Sequence, residues 1–336
     1  MPLHMLPLNS AIKPGASVGR FAPSPTGMLH TGSLVTAVAS YLFAKSQGGK
    51  WLLRMEDLDT ERNVPGAADA ILRQLEHLGL YWDDPVVYQS TRMEFYADTM
   101  RQLIRKGDVY RCTCSRREIA AAASRHTASG PVYSGRCRHL ENTVEEVTPR
   151  NIHQRGCLRL KVDNTLISFA DILHGQITQQ PALEAGDFIL KRADGIFAYQ
   201  FATPLDDAAQ HIRQVIRGMD LLDSTPRQIY LLQRLGASIP AFGHIPLVLD
   251  AHGNKISKST QQLRKINSTV PVPFGSEDLF KVLEFLGQAP PSALFGSNSS
   301  YASTDGAQPE GLLRWALHNF NPAAIPLKNM PIHTSM

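Results

Sequence analysis

The sequence predicts an α/β protein organised around a parallel sheet, and three observations carry that reading. Strands near 17–22 and 50–55 alternate with helices near 33–46, 66–78 and 91–106, the rhythm of βαβ units. A proline-stiffened segment at 21–32, Phe-Ala-Pro-Ser-Pro-Thr-Gly-Met-Leu-His-Thr-Gly, joins the first strand to the first helix. A second short segment, Lys-Ile-Ser-Lys-Ser at 255–259, follows a strand expected over Ile245–Asp250 and a turn at 251–254. The combination is Rossmann-like, with a nucleotide expected at the carboxyl edge of the sheet.

In the first unit Ser17–Ala22 read as a strand, Pro23 and Pro25 force an extended exit, and Gly27 permits a turn. Leu34, Val35, Val38, Leu42 and Phe43 then recur at helical spacing, which sets His30, Thr31, Gly32 and Ser33 at a helix N-terminus. Unpaired N–H groups and the positive end of the dipole make that an anion site, with Gly32 admitting close approach and His30 adding a donor. A proline-rich loop capped by Ser33 is the competing reading. In the second segment Lys255, Ser257, Lys258 and Ser259 can close on a triphosphate and neutralise charge on departing pyrophosphate. A solvated basic turn has the same composition.

From Val109 to Asp187 the pattern shifts to short β segments, such as Cys157–Val162 and Gln176–Gln179, so an inserted unit is expected there. The main sheet is expected to resume with strands at Phe188–Lys191 and Ile196–Phe201, followed by a helix at Thr225–Leu235. Beyond Ser259, helices are expected at Ser276–Gly287 and Glu310–Asn319, flanking a Pro/Ser/Gly-rich stretch from Ala289 to Pro309 that should be poorly ordered.

With 336 residues, 43% of them hydrophobic, the chain can bury a substantial core. No apolar run reaches membrane length, and the first ten residues lack the basic start and continuous apolar region of a secretory signal, so a cytoplasmic protein is expected. A net charge of +4 permits nucleic-acid binding without arguing for it. Four cysteines, at 112, 114, 137 and 157, do not suggest a disulfide framework in a reducing compartment. Cys112, Cys114 and Cys137 can supply three thiolates to a tetrahedral ion, which one oxygen or nitrogen donor would complete. Buried reduced cysteine is the alternative, and His126, His139 and Cys157 are spare donors.

The two opening motifs resemble the His-Ile-Gly-His and Lys-Met-Ser-Lys-Ser signatures of class I aminoacyl-tRNA synthetases, with Thr31, Ser33 and Ile256 departing from those letters. Arg-Phe-Ala-Pro-Ser at 20–24, Arg-Met-Glu-Asp-Leu-Asp at 54–59, Phe-Ala-Tyr-Gln at 197–200, Leu-Asp-Asp at 205–207 and Val-Ile-Arg-Gly-Met-Asp at 215–220 are similar to the glutamyl branch. The resemblance spans about 17–259. It implies a class I catalytic domain in two halves, 17–108 and 188–260, preceded by a tail at 1–16. An acceptor-type zinc subdomain is implied at 109–187, and a short, partly disordered helical extension without an anticodon-binding domain at 261–336. It further implies glutamate bound by Arg20, Phe21, Ala22, Pro23, Ser24, Glu56, Tyr199 and Arg217, and ATP with Mg2+ held by His30, Gly32, Ser33, Lys255, Ser257 and Lys258. His30 and Lys258 would be catalytic, and one structural Zn2+ would sit on Cys112, Cys114, Tyr133 and Cys137.

Physical need agrees: glutamate brings two carboxylates and an ammonium into a partly dry pocket, where each charge needs a partner. On chemistry alone, Arg20–Glu56 as an internal ion pair, Arg217 as a surface charge and Tyr199 as a core aromatic stay open. Because only residues 260–336 follow the second motif, the chain is most similar to truncated paralogues that transfer glutamate to queuosine in the anticodon loop of tRNA(Asp). Charging of a tRNA 3′ end, adenylation of another carboxylate, and a non-catalytic tRNA-binding module are the alternatives. A monomer is expected.

Overall fold

Val18–Phe21, four buried residues, form the strand from which the other layers are built. The computed structural model describes residues 17–127, 130–139, 156–250, 252–256, 274–294 and 309–332. Its first strands are β1 (Val18–Phe21), β2 (Lys50–Met55), β3 (Val87–Tyr88), β4 (Val109–Cys112), β5 (His126–Thr127), β6 (Gly130–Pro131) and β7 (Cys157–Leu160). The remainder are β8 (Ile167–Asp171), β9 (Gly175–Gln179), β10 (Ile189–Lys191), β11 (Gln214–Gly218), β12 (Ala241–Ile245), β13 (Val248–Leu249) and β14 (Met330–Pro331). Helices α1 (Thr31–Lys45), α2 (Ala67–His77), α3 (Met93–Arg105), α4 (Arg116–Ala122), α5 (Pro181–Glu184), α6 (Tyr199–Ala209) and α7 (Ser224–Leu235) lie between them.

The main sheet runs β3–β2–β1–β11–β12–β8–β9, parallel throughout except for the β8–β9 hairpin. From β1 the chain first builds outward through β2 and β3, then returns to add β11 and β12 on the other side. The order therefore reverses between β1 and β11, which opens a crevice at their carboxyl ends. Helix α1 covers the sheet with Leu34, Val35, Val38, Leu42 and Phe43, the residues its spacing singles out, all buried. Each such side chain contributes about 1.5–3 kcal/mol of burial.

Three sequence expectations change. Ile189–Lys191 pairs with β7 in a separate antiparallel sheet, β10–β7–β4, rather than resuming the main one. Ile196–Phe201 is not a strand: Phe197 makes a single bridge to Lys191, and α6 begins at Tyr199. Aromatic, β-prone residues hide there a helical stripe, Phe201, Leu205 and Ala208, buried against the core. The hairpin β8–β9, from within the expected insertion, joins the main sheet beside β12. The described helices beyond residue 261, Ser276–Phe285 and Pro309–Asn319, bury Leu279, Val282, Leu283, Leu312 and Leu313 in the same core as α1. Residues 295–308 of the Pro/Ser/Gly-rich stretch lie outside the described residues.

A buried ionic network ties these layers. Arg54, in a strand with every residue buried, donates from Nη2 to Asp207 Oδ1 (2.7 Å) and from Nη1 to Gln210 Oε1 (2.7 Å). Arg20 Nε donates to the same Asp207 oxygen at 3.0 Å. Asp206 accepts from Arg92 Nε (2.6 Å), Tyr96 Oη (2.6 Å) and Gln89 Nε2 (2.9 Å). Neighbours on a helix point about 100° apart, so two adjacent acids of α6 serve two layers: Asp207 the sheet, Asp206 α3. Burial alone would raise the Asp207 carboxyl, but Arg20 and Arg54 hold it below its usual range. Asp207→Asn leaves two buried guanidinium groups short of a charge and should lower the unfolding free energy by about 3–5 kcal/mol, measured by urea denaturation.

Candidate active site

The crevice between β1 and β11 opens into a cleft of about 530 Å³, within the usual range for small-molecule sites. Arg20, Phe21, Ala22, Pro23 and Ser24 form one wall as the chain leaves β1, and His30, Gly32 and Ser33 form the floor at the start of α1. Tyr199, Arg217, Gly218 and Asp220 stand opposite, with Glu56 and Lys255 also lining the space. Every expected glutamate or nucleotide residue that is described thus borders one cleft. Ser257 and Lys258 lie outside the described residues.

Helix α1 begins at Thr31, capped by His30 rather than by Ser33. The His30 Nδ1 accepts from the Ser33 N–H at 3.2 Å, and its Nε2 lies 3.0 Å from Ser33 Oγ. A Cβ on Gly32 would stand 3.1 Å from the His30 ring, so a larger residue there would press on the cap. Across the cleft mouth, Lys255 Nζ pairs with Asp220 Oδ2 at 2.5 Å, and the bridge from Lys255 to Leu249 closes the expected turn.

The two arginines are held differently. Arg217 spends all five N–H donors, on His244, Tyr199, Gln228, the Leu221 carbonyl and Thr225. Arg20 spends Nε on Asp207 and one Nη1 hydrogen on the Ile216 carbonyl at 3.5 Å, so its Nη2 edge makes no further hydrogen bond among the described residues. The nearer partner of Arg20 is Asp207, not Glu56. Glu56 instead accepts from Thr203 Oγ1 at 2.8 Å and lies 3.7 Å from Arg54 Nη2. Burial raises its carboxyl above the ordinary value despite Arg54 and Thr203. An ammonium entering the cleft would restore the charge that burial disfavours.

Behind Arg217 stands a pair absent from the sequence reading. His244, fully buried on β12, accepts the Arg217 Nε–H at Nε2 (3.1 Å), which fixes its other nitrogen, Nδ1, as the donor to Asp171 Oδ2 (2.6 Å). Burial, with Arg217 adding to it, holds His244 below the usual imidazole value, so it stays neutral beside the guanidinium. The signal lay in a polar His within the apolar run Phe242–Ile245. Leu-Asp-Asp and Arg54 carried a similar one: charges inside apolar elements need buried partners.

Outside the cleft, the sulfur atoms of Cys112, Cys114 and Cys137 lie within 4.8 Å of one another. Tyr133 Oη is 3.3 Å from Cys112 Sγ and 3.8 Å from Cys114 Sγ, and Cys114 Sγ is 3.4 Å from Cys137 Sγ. Bonds of about 2.3 Å to a tetrahedral ion space its ligands by roughly 3.8 Å, so these four atoms fit one. Cys157 pairs with Cys112 across β4–β7 but falls outside the cluster, while His126 and His139 are exposed. Burial opposes ionisation of Cys112, yet Tyr133, the Cys114 backbone and Arg159 bring its thiol down to about 7. The long segment after Cys114 folds as α4, with a Ser115–Glu118 capping box, and the β5–β6 hairpin.

The reversal in strand order and the helix-start floor are features of a nucleotide site in an open α/β sheet. The sequence pattern of the tRNA synthetases class I (E and Q), catalytic domain, matches residues 17–293, and the chain belongs to that family. Within it, the chain falls among the glutamyl-Q tRNA(Asp) synthetases: it is 46% identical to that of Geobacter sulfurreducens over 95% of this chain and 96% of the relative. It is 49% identical to that of Dechloromonas aromatica over 82% of this chain and 88% of the relative. A crystal structure of a glutamate tRNA ligase from Elizabethkingia meningosepticum, in complex with its amino acid, superimposes with a TM-score of 0.71 at 26% identity. That match covers 94% of this chain but 67% of the ligase. No helix among the described residues is long and apolar enough to cross a membrane.

Burial raises the Asp171 carboxyl, but hydrogen bonds from His244 and from the Leu173 and His174 backbone outweigh it and hold the group below its usual value. Its contribution to stability is therefore present above the unfolded aspartate pKa of about 3.9 and is lost as pH falls through the folded value. Asp171→Asn should lower the melting temperature at pH 7, and the gap to wild type should narrow below about pH 4, measured by thermal unfolding across pH.

Proposed function

We propose that the protein activates L-glutamate with ATP and transfers it to queuosine in the anticodon loop of tRNA(Asp). The observation that carries this reading is the pairing of a glutamate-type cleft with near full-length likeness to glutamyl-Q tRNA(Asp) synthetases, against two thirds of a glutamate tRNA ligase. In the first step the α-carboxylate of glutamate attacks the α-phosphorus of Mg2+-bound ATP and pyrophosphate leaves. In the second, the acceptor hydroxyl attacks the acyl carbon, its proton passes to solvent, and AMP departs. The enzyme needs no covalent nucleophile.

Positioning and charge do the work. Arg20 takes a substrate carboxylate on its unspent edge, with Arg217 and Tyr199 forming the facing wall and Glu56 receiving the ammonium. His30 and the start of α1 act on the phosphates through Gly32 and Ser33, and Lys255, Ser257 and Lys258 act on the departing pyrophosphate. Cys112, Cys114, Cys137 and Tyr133 hold one structural zinc ion at the end of β4, with none of the four lining the cleft. The convergence of four donors on one point supports that assignment.

Labelled glutamate should pass to tRNA(Asp) containing queuosine and not to tRNA(Asp) lacking it; equal labelling of both, or label on a 3′ end, overturns the reading. Lys258→Ala should reduce glutamate-dependent ATP–pyrophosphate exchange by about 10²–10³-fold, with circular dichroism unchanged. Because Glu56 must be ionised to hold the ammonium and its carboxyl is raised, the KM for glutamate should climb with falling pH above the ordinary carboxylate range. Glu56→Gln should remove that limb, in exchange kinetics between pH 5 and 8. Cys137→Ser should cost most of the bound zinc, read by elemental analysis, and lower the melting temperature.

A further inference from the structure

Lys191 closes β10 and is 5% exposed, yet among the described residues no carboxylate reaches its ammonium. Its ammonium lies over the Phe197 ring, 5.2 Å from the ring centre. Burial, with the like charge of Arg111 adding to it, depresses its pKa. A buried cation without an anionic partner is costly and is retained where a ligand supplies the charge. Lys191 lines a small, open notch with Arg111, Arg192, Leu158, Gly156, Ala193 and Gly195. Arg192 is already balanced by Asp59 and Asp194, which leaves Lys191 as the charge to be met.

The notch adjoins the cleft. Asp59 Oδ2 accepts from Arg192 Nη1 and from Arg62 Nε, each at 2.9 Å, and Arg62 lines the cleft. From Lys191 the chain turns through Arg192–Gly195 directly into Tyr199, part of the cleft wall. An acceptor that enters the cleft over Tyr199 from that side passes beside Lys191.

We propose that Lys191, flanked by Arg111 and Arg192, binds a phosphodiester of the RNA acceptor and so positions the acceptor for transfer. This rests on the proposed function for the identity of the RNA. A phosphodiester matches the site because its two unesterified oxygens can meet an ammonium and a guanidinium together, and because an RNA carries one at every nucleotide.

The test uses the full chain, with Lys191→Met to remove the charge while keeping an apolar stem and Lys191→Arg to restore it. For Lys191→Met, glutamate-dependent ATP–pyrophosphate exchange without RNA should stay near wild type. Its Kd for queuosine-containing tRNA(Asp) should rise about tenfold and the slope of log Kd against log salt should fall by about one. Lys191→Arg should recover most of both. Wild-type Kd and salt slope in Lys191→Met overturn the proposal. So does an altered KM for ATP with unaltered tRNA binding, since the site would then serve the nucleotide or its pyrophosphate. Loss of exchange and tRNA binding together, unrestored in Lys191→Arg, overturns it in favour of a structural lysine. If wild-type enzyme transfers no glutamate to queuosine-containing tRNA, the reading of the acceptor fails; the binding and salt measurements still decide the phosphate site.

Discussion

One stripe of one helix organises the charged interior. Tyr199, Thr203 and Asp207 recur every four residues along α6 and therefore share a face. Tyr199 meets Arg217, Thr203 meets Glu56, and Asp207 meets both Arg20 and Arg54. The three cleft residues that would receive a zwitterionic dicarboxylate are thus set from behind by a single rigid element. A shift of α6 by a fraction of a turn would disturb all three together. Balanced charge also limits what the cleft can hold. Arg20 and Arg54 already share Asp207, and Glu56 is raised by burial, so the cleft can take one more cation beside Glu56 and an anion at the Arg20 edge.

A second line of support enters from the side. The β8–β9 hairpin, drawn from the segment between the two halves of the sheet, brings Asp171 under His244, and His244 under Arg217. The neutral imidazole acts as a spacer: it accepts from the guanidinium on one nitrogen and donates to the carboxylate through the other. Arg217 is held by neutral groups at every donor, which leaves its positive charge largely uncancelled by direct contacts. That charge is therefore available to an incoming anion at the cost of exchanging neutral partners. Arg20 is the opposite case, paired with a carboxylate but with an edge unspent.

Much of this was legible in the sequence, and the rest was hidden for physical reasons. The first βαβ unit was readable because α1 is apolar at helical spacing and β2 is bounded by clear turns. The described cleft residues were readable because they lie in contiguous motifs, Arg20–Ser24 and His30–Ser33 above all. The cysteine cluster is readable from its resemblance to the family's zinc pattern, although its folding around β4 and the turn after Tyr133 is not. The strand expected at Phe188–Lys191 pairs in the smaller sheet and not in the main one, because short apolar strands carry no mark of their partner. Helix α6 is not read from the sequence at all: Ile196–Phe201 is rich in β-prone residues, while tertiary burial of Phe201 and Leu205 overrides that preference. The roles of Arg54, Asp171 and His244 depend on pairings across the sheet, which no local window contains.

Helix α1 has a place in the core with a consequence for how the chain is made. One side lies on β1 and β2, formed early, but the other is covered by Leu279, Val282, Leu312 and Leu313, near the end of the chain. β1 meanwhile waits for β11, and Arg20 for Asp207, 187 residues later. On the ribosome, then, the first third of the protein emerges with apolar surface uncovered and two guanidinium groups unmatched. The guanidinium groups gain Asp207 only past the middle of the chain, and the apolar surface waits longer still, so nascent chains should depend on protection from aggregation until Leu312 and Leu313 arrive.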